Sequence, residues 1–339
     1  MPKYEYKALK DIDKKIERVL DRHNLNTPNT VAESIKANQK FFFATPVYRG
    51  EKVMFKARIA DHRVLKKSGK LFSVERRFLR TLKKYDPVNP IVQHLPVYIK
   101  SQKSSCEWLM CKFIERQTIG ATDQRYDNPT KEEILEILTL LTDIQAFDIN
   151  GFMETHNWVK EIRVNKAENY LNSFDKCVLK NQKNISHFFI KSDLTKAREI
   201  IDENKVLIDD NCNLLVHGDF HPANIFIHDN LAIAIDWESM RIGNSATDVT
   251  TLWQRMTSHP DLRKYLLEEY AKQSPQMENF RQLFRIDILV SLLWEIQGLH
   301  SHMQLLSNKV EKKEIKNRLD LCYNNYMTAL NNGKIEQYD

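Results

Sequence analysis

The strongest constraint on the fold lies in residues 214–236, LLVHGDFHPANIFIHDNLAIAID. Leu214 to Val216 is a short apolar strand, and Ile225 to Ile227 and Leu231 to Ile235 are two more, joined by the turn residues His228-Asp229-Asn230. An antiparallel hairpin returns the chain to its starting end, so Asn224, just before the first arm, is expected beside Asp236, just after the second. Asp219 sits on the loop feeding the hairpin. Three oxygen-bearing side chains are thereby expected at one mouth.

The rest of the chain divides by periodicity. Leu9, Ile12, Ile16, Val19 and Leu20 have helical spacing, whereas Phe41 to Tyr48, a turn at Arg49-Gly50-Glu51, and Val53 to Ile59 predict a hairpin. Ser73 is a candidate cap for a helix whose inward stripe is Val74, Phe78, Leu79 and Leu82, with Glu75 beside that stripe. Val97 to Lys100 and Trp108 to Ile114 predict further strands. From Thr130-Lys131-Glu132-Glu133, which has the form of a capping box, helices dominate: Ile134 to Leu141, Trp158 to Leu179, Leu194 to Glu203, and several between Leu262 and Tyr326. At 339 residues the length favours two lobes sharing one cleft, divided near residue 115 into 1–115 and 116–339.

Composition excludes several classes. A 42% hydrophobic and 28% charged chain suits an ordinary soluble protein. Five scattered cysteines without a CxxC pair argue against a disulfide framework or structural zinc, and the first 20 residues lack a secretory signal, so a cytoplasmic location is expected. The apolar segment Leu283 to Leu299 carries Arg285, Asp287 and Glu295, which predicts a buried helix and no membrane partner. The net charge of +6 concentrates in residues 51–84, where twelve Lys or Arg face three acids. With little aromatic interleaving this is a solvated surface, and no nucleic-acid partner is expected. Aromatic groups such as Phe41-Phe42-Phe43 and Trp294 are expected in the core.

The trio at the hairpin mouth suits phosphoryl transfer. Magnesium prefers hard oxygen ligands and keeps room for water and phosphate, so the Asp236 carboxylate and the Asn224 amide suffice as protein ligands. Asp219 can then orient an acceptor hydroxyl and take its proton. His217 is expected to shape the loop through a hydrogen bond to its backbone.

The spacing His217-x-Asp219-x-x-x-x-Asn224 is that of a kinase catalytic loop, with Asp236 in the place of the metal-binding aspartate that follows it. Gly218, His221-Pro222 and Ile235-Asp236-Trp237-Glu238 resemble the aminoglycoside phosphotransferase and choline kinase-like family more than protein kinases. Gly243 to Asp248 resembles that family's next motif, though Asn244 and Ser245 replace the usual Asp-Pro.

The resemblance implies an α+β, bilobal, protein-kinase-like fold with a small β-rich N-lobe and a larger, mostly helical C-lobe. It further implies transfer of the ATP γ-phosphoryl group, with GTP an alternative donor, to a small-molecule hydroxyl. In the family's terms Asp248 braces the catalytic loop, Lys56 holds phosphates, Glu75 holds Lys56, and Cys111, Lys112, Phe113 and Ile114 form the hinge against adenine. Lys52 and Lys66 are rivals for the lysine role, and no Gly-rich phosphate loop precedes Phe41. Family acceptors include aminoglycosides, macrolides, choline, homoserine and sugars. A polycation among them wants an acidic pocket, to which Asp248, Glu268, Glu269 and Asp287 are candidates.

Rival readings are a catalytically inactive nucleotide-binding module, a true protein kinase, and a zinc hydrolase built on His217, Asp219 and His221 near Cys212. The first lacks its usual mark, loss of a base or metal ligand. The second lacks an APE-bounded activation segment. The third leaves Asn224 and Asp236 without a role. Oligomeric state is not encoded in any pattern found.

Overall fold

The computed structural model describes residues 16–25, 31–36, 39–60, 71–102, 107–115, 118–120 and 129–331. Two compact units emerge: Met1–Gln117 with Ile233–Ser239, and Thr118–Ala232 with Met240–Asp339.

The first unit is built on an antiparallel sheet of β1 (Val31–Lys36), β2 (Gln39–Ala44), β3 (Val47–Tyr48), β4 (Glu51–Ala60), β5 (Tyr98–Gln102) and β6 (Glu107–Lys112), in the order β1-β2-β4-β6-β5 with β3 also on β4. The expected first hairpin arm is divided into β2 and β3. Pro46 lies between them; it has no N–H to donate to a ladder, and its carbonyl accepts from Val53 instead. Arg49 (φ 53°) and Gly50 (φ 85°) are both left-handed, the geometry whose twist matches a two-residue hairpin loop, and they pair Tyr48 with Glu51.

Alternation along β4 gives the sheet two different faces. Val53, Phe55 and Ala57 pack with Trp108 and Met110 of β6 and with Ile16, Leu20 and Leu25 from the helical segment 16–22 and its end. Lys56 has the opposite parity. The helix α1 (Leu71–Tyr85) buries Val74, Phe78, Leu79 and Leu82, and Glu75 is buried with them. It starts two residues before Ser73, which therefore lies inside its first turn. The Phe41-Phe42-Phe43 side chains and Lys66 lie outside the described side chains.

The second unit holds a three-stranded sheet, β7 (Arg163–Val164), β11 (Arg241–Gly243) and β8 (Leu214–Val216), in the order β7-β11-β8. The ladder of β9 (Ile225–His228) and β10 (Leu231–Ala234) turns through Asp229 and Asn230, both left-handed (φ 51° and 58°). Around these lie α2 (Lys131–Ala146), α3 (Ile149–Thr155), α4 (Ala167–Lys180), α5 (Gln182–Ile185), α6 (Lys191–Glu203), α7 (Lys205–Asn211), α8 (Ala246–Arg255), α9 (Pro260–Gln273), α10 (Met277–Leu305) and α11 (Lys309–Leu330).

Thr130 and Glu133 form the expected capping box, each side chain bonding the other's backbone N–H. The helix expected over 158–179 is interrupted. Arg163–Val164 pairs in parallel with Arg241–Ile242, and Asn165 donates to the Ile242 carbonyl, so sheet bonds displace helix there and α4 begins at Ala167. α10 is buried on several sides, through Leu283, Phe284, Ile286, Ile288, Leu289 and Leu293 among others, as a core helix is. No described helix is long and apolar enough to cross a membrane.

Phe55 is fully buried at the centre of the first unit's core. Phe55→Ala should cost about 3–5 kcal/mol, read as a lower denaturation midpoint at unchanged slope; a loss under about 1 kcal/mol would mean that this core does not hold the unit together.

Candidate active site

The alternation of β4 turns Lys56 into the face covered by α1, and there it meets carboxylates. Lys56 Nζ lies 3.0 Å from Glu75 Oε2, 2.6 Å from Asp236 Oδ1 and 2.6 Å from Glu238 Oε1. Burial alone would lower the Lys56 pKa, but Glu75, Asp236 and Glu238 together outweigh it and hold the ammonium well above the ordinary lysine value. Burial pushes the Glu75 pKa up against the pull of Lys56, with Asp236 and Glu238 adding to the rise. Glu75 Oε1 also accepts from the Trp237 N–H at 3.2 Å, and the Trp237 ring packs on Phe78 with centroids 5.3 Å apart.

Asp236 itself is left-handed at φ 63°, a costly conformation for a residue with a Cβ, and the buried Trp237 and the Lys56 ion pair on either side fix it. Lys52, a rival for this position, instead stands 3.9 Å over the Phe113 ring. Glu238 had no role assigned from sequence; its place two residues after Asp236 was the available signal.

One ammonium shared among three carboxylates leaves the cluster with surplus negative charge, and ligand oxygens of Glu75, Asp236 and Glu238 lie within 4.8 Å of one another.

In the second unit the loop after β8 is held from two sides. Asp248, fully buried at the start of α8, accepts from the His217 N–H at 2.7 Å and the Gly218 N–H at 2.8 Å. Burial pushes its pKa up, opposed by His217 and by these two N–H bonds. Gly218 sits at φ 80°, where a side chain would be strained. His217 Nδ1 accepts from the Asp219 N–H at 3.3 Å.

Asn224 Nδ2 donates to the Asp219 carbonyl at 3.0 Å and approaches Asp219 Oδ2 at 3.5 Å, which leaves its own amide oxygen outside these bonds. The Asp219 carboxyl is 48% exposed, with His221 Nε2 3.6 Å away. The Asp219 carboxyl on this loop is half exposed, whereas that of Asp248, on α8, is fully buried. Cys212, proposed in the zinc reading, spends its thiol on the Ile242 carbonyl.

The residues expected to form a hinge, Cys111 to Ile114, lie at and just past the end of β6. Cys111 is buried, and burial pushes its thiol far above the thiolate range. The N–H of Lys112 donates to Val97 and that of Phe113 to Lys52, so Ile114 is the first residue past the strand without a backbone partner among the described residues.

The sequence profile of the Phosphotransferase enzyme family matches residues 67–283, which take in Glu75, Asp219, Asn224, Asp236, Glu238 and Asp248 but not Lys56. The chain belongs to that family. A search of curated proteins gave no significant sequence match. Similar solved structures include an ADP-bound aminoglycoside phosphotransferase (17% identity, TM-score 0.55, covering 90% of this chain and 95% of that one). A GDP-bound aminoglycoside 2′-phosphotransferase aligns at 11% identity with TM-score 0.59 over 94% and 99%. Choline kinase from Cryptosporidium parvum aligns at 12% identity with TM-score 0.56 over 94% and 96%. The phosphotransferase thus has the α+β, bilobal, protein-kinase-like fold, with a β-rich lobe and a larger, mostly helical one.

The four acids expected to line one pocket of this phosphotransferase are engaged separately. Glu268 pairs with Lys264 and Glu269 with Lys272 at the surface, and Asp248 is spent on the loop. Asp287 alone of the four lines a cavity of about 460 Å³ in the second unit, which Trp294 also lines, half-buried, with its indole N–H on Ser173. Asn244, in the place of the family's aspartate, accepts from the Ala246 N–H at the start of α8 and donates to the Tyr170 hydroxyl, which donates to Asp287.

Burial raises the Asp287 pKa to about 7, only partly opposed by Tyr170 and Arg241. A raised folded-state pKa means that the folded protein holds a proton which the unfolded chain releases above about pH 4, so this group's contribution to stability fades as pH rises from about 4 to about 7. Asp287→Asn should remove that slope, up to about 1.4 kcal/mol per pH unit, from unfolding free energies measured across this range; an unchanged slope would show that Asp287 is ionised throughout.

Proposed function

We propose that this phosphotransferase moves the γ-phosphoryl group of ATP to a hydroxyl of a small molecule in the cytoplasm. The observation that carries the reading is the intact catalytic loop: His217 and Asp248 hold its backbone, Asn224 is bonded to Asp219, and the Asp219 carboxyl is left exposed. Four buried cysteines, Cys111, Cys177, Cys212 and Cys322, are free thiols, which supports a reducing compartment.

In this reading Asp219 accepts a hydrogen bond from the acceptor hydroxyl, aligns its oxygen with the γ-phosphorus, and takes the proton as the new bond forms. Lys56, held by Glu75, donates to phosphate oxygens of the nucleotide; its rigid carboxylate cage keeps the ammonium charged and in place. Asn224 and Asp236 would hold Mg²⁺, which neutralises phosphate charge when bound. The backbone N–H and carbonyl groups of Cys111 to Ile114 would pair with adenine, or with guanine if GTP is the donor. His217 and Asp248 act through the loop they shape and touch no substrate.

Asp219→Asn preserves the loop's hydrogen-bonding shape but removes the base. It should keep nucleotide binding and lower turnover roughly 10²- to 10⁴-fold in a phosphorylation screen over sugars, hydroxy acids, amino alcohols, aminoglycosides and macrolides. Turnover equal to that of the natural protein would remove Asp219 from this role.

A further inference from the structure

The 460 Å³ cavity is assembled wholly within the second unit, from β7, α4, β11, α8 and α10, and its size falls in the range of small-molecule sites, about 300–1,000 Å³. No residue of the catalytic loop lines it, and two of its lining residues connect to that loop. Arg241, which lines it, is the register partner of Val216, the residue before His217, and also of Arg163, another lining residue. Thr247, lining it from α8, precedes Asp248, whose carboxylate grips the loop.

Two properties define what this cavity can take. Its charged lining is Arg163, Lys176 and Arg241 against the single acid Asp287. A polycation entering there would meet three like charges, whereas a carboxylate or phosphate would meet three donors, two of them guanidinium forks suited to planar or tetrahedral oxyanions. Three of its residues also carry buried polar atoms without a hydrogen-bond partner among the described residues: Arg241 Nε, Thr250 Oγ1 and Asp287 Oδ2. Asp287 and Thr250 are 8% and 1% exposed. Buried polar atoms are rarely left unmatched, and a donor, a hydroxyl and an acceptor gathered on one cavity match a ligand rich in hydroxyls.

We propose that this cavity is the acceptor subsite, and that the acceptor is a small polyhydroxy compound carrying a carboxylate or phosphate group. The proposal rests on the phosphotransferase reading above. The anionic group binds Arg163, Lys176 and Arg241, while hydroxyls serve Thr250 and Asp287. In the reaction one acceptor hydroxyl oxygen bonds to the γ-phosphorus, the bond from that phosphorus to the β,γ-bridging oxygen breaks, ADP leaves with that electron pair, and the hydroxyl proton passes to Asp219. The product carries one more phosphate than the acceptor, and a positive lining accommodates that added charge.

The test is calorimetric binding without nucleotide, using gluconate, ribose 5-phosphate, neutral glucitol, cationic glucosamine and inorganic phosphate. At least one of the two anionic polyols should bind about tenfold or more tightly than glucitol and glucosamine, and which one does separates a carboxylate from a phosphate requirement. Arg241→Gln should reduce that affinity about tenfold and weaken glucitol binding by much less. Lys176→Gln, at an exposed position whose substitution preserves the fold, should reduce it in the same direction.

Tighter binding of glucosamine, indifference to probe charge, or no binding of either anionic polyol overturns the proposal. Inorganic phosphate binding as tightly as both polyols, an adventitious ion only, also overturns it. MgATP binding measured separately distinguishes the two readings: nucleotide binding with no anionic preference refutes this subsite alone, and anion binding without any nucleotide binding refutes the kinase reading.

Discussion

A buried ammonium governs the first unit. Lys56 is almost wholly removed from water, a position that is tenable only because Glu75, Asp236 and Glu238 surround it. The same three contacts fix the strand that carries the lysine, the helix that carries Glu75, and the left-handed turn at Asp236. Removing either sign of charge strands the other, so the cluster holds its cation desolvated and in one place. The cost of its assembly is borne by the apolar stripe of Val74, Phe78 and Leu82, which seats α1 on the sheet.

The loop that carries Asp219 follows the opposite design. Its rigidity comes from hydrogen bonds to backbone N–H groups, two from Asp248 and one from the His217 ring, and these leave Asp219 with an exposed carboxyl. Gly120 reaches close enough to the loop that an added Cβ would stand 2.6 Å from the Ala223 nitrogen, so its backbone lies directly against it. One acid is consumed in structure so that the other can remain available.

Much of this was legible in the sequence because it is local. The parity of Lys56 on β4, the position of Glu75 beside the stripe of α1, and the offsets from His217 to Asn224 all lie within single elements, where periods of 2.0 and 3.6 determine facing. The capping box at Thr130 and the turn at Asp229-Asn230 are local in the same way. What escaped depends on distant pairing. The two residues Arg163–Val164 become a strand because Arg241–Ile242 offers them a ladder some eighty positions away, and no helical periodicity could announce it. Trp294, expected in the core, lines a polar cavity whose lining comes from five separate elements, and the four acids expected to share a pocket are scattered among a loop brace, two surface ion pairs and one buried network. Asn244 also acquires a reason only in three dimensions, where it joins the first turn of α8 to Tyr170.

The central claim is that the caged ammonium of Lys56 is the phosphate-binding cation. Calorimetric titration of MgATP into the natural protein and into folded Lys56→Met tests it most directly. A lost charge-assisted hydrogen bond predicts an affinity about 10- to 100-fold weaker in the variant. Equal affinity in the two proteins, or no measurable nucleotide binding by the natural one, would contradict it.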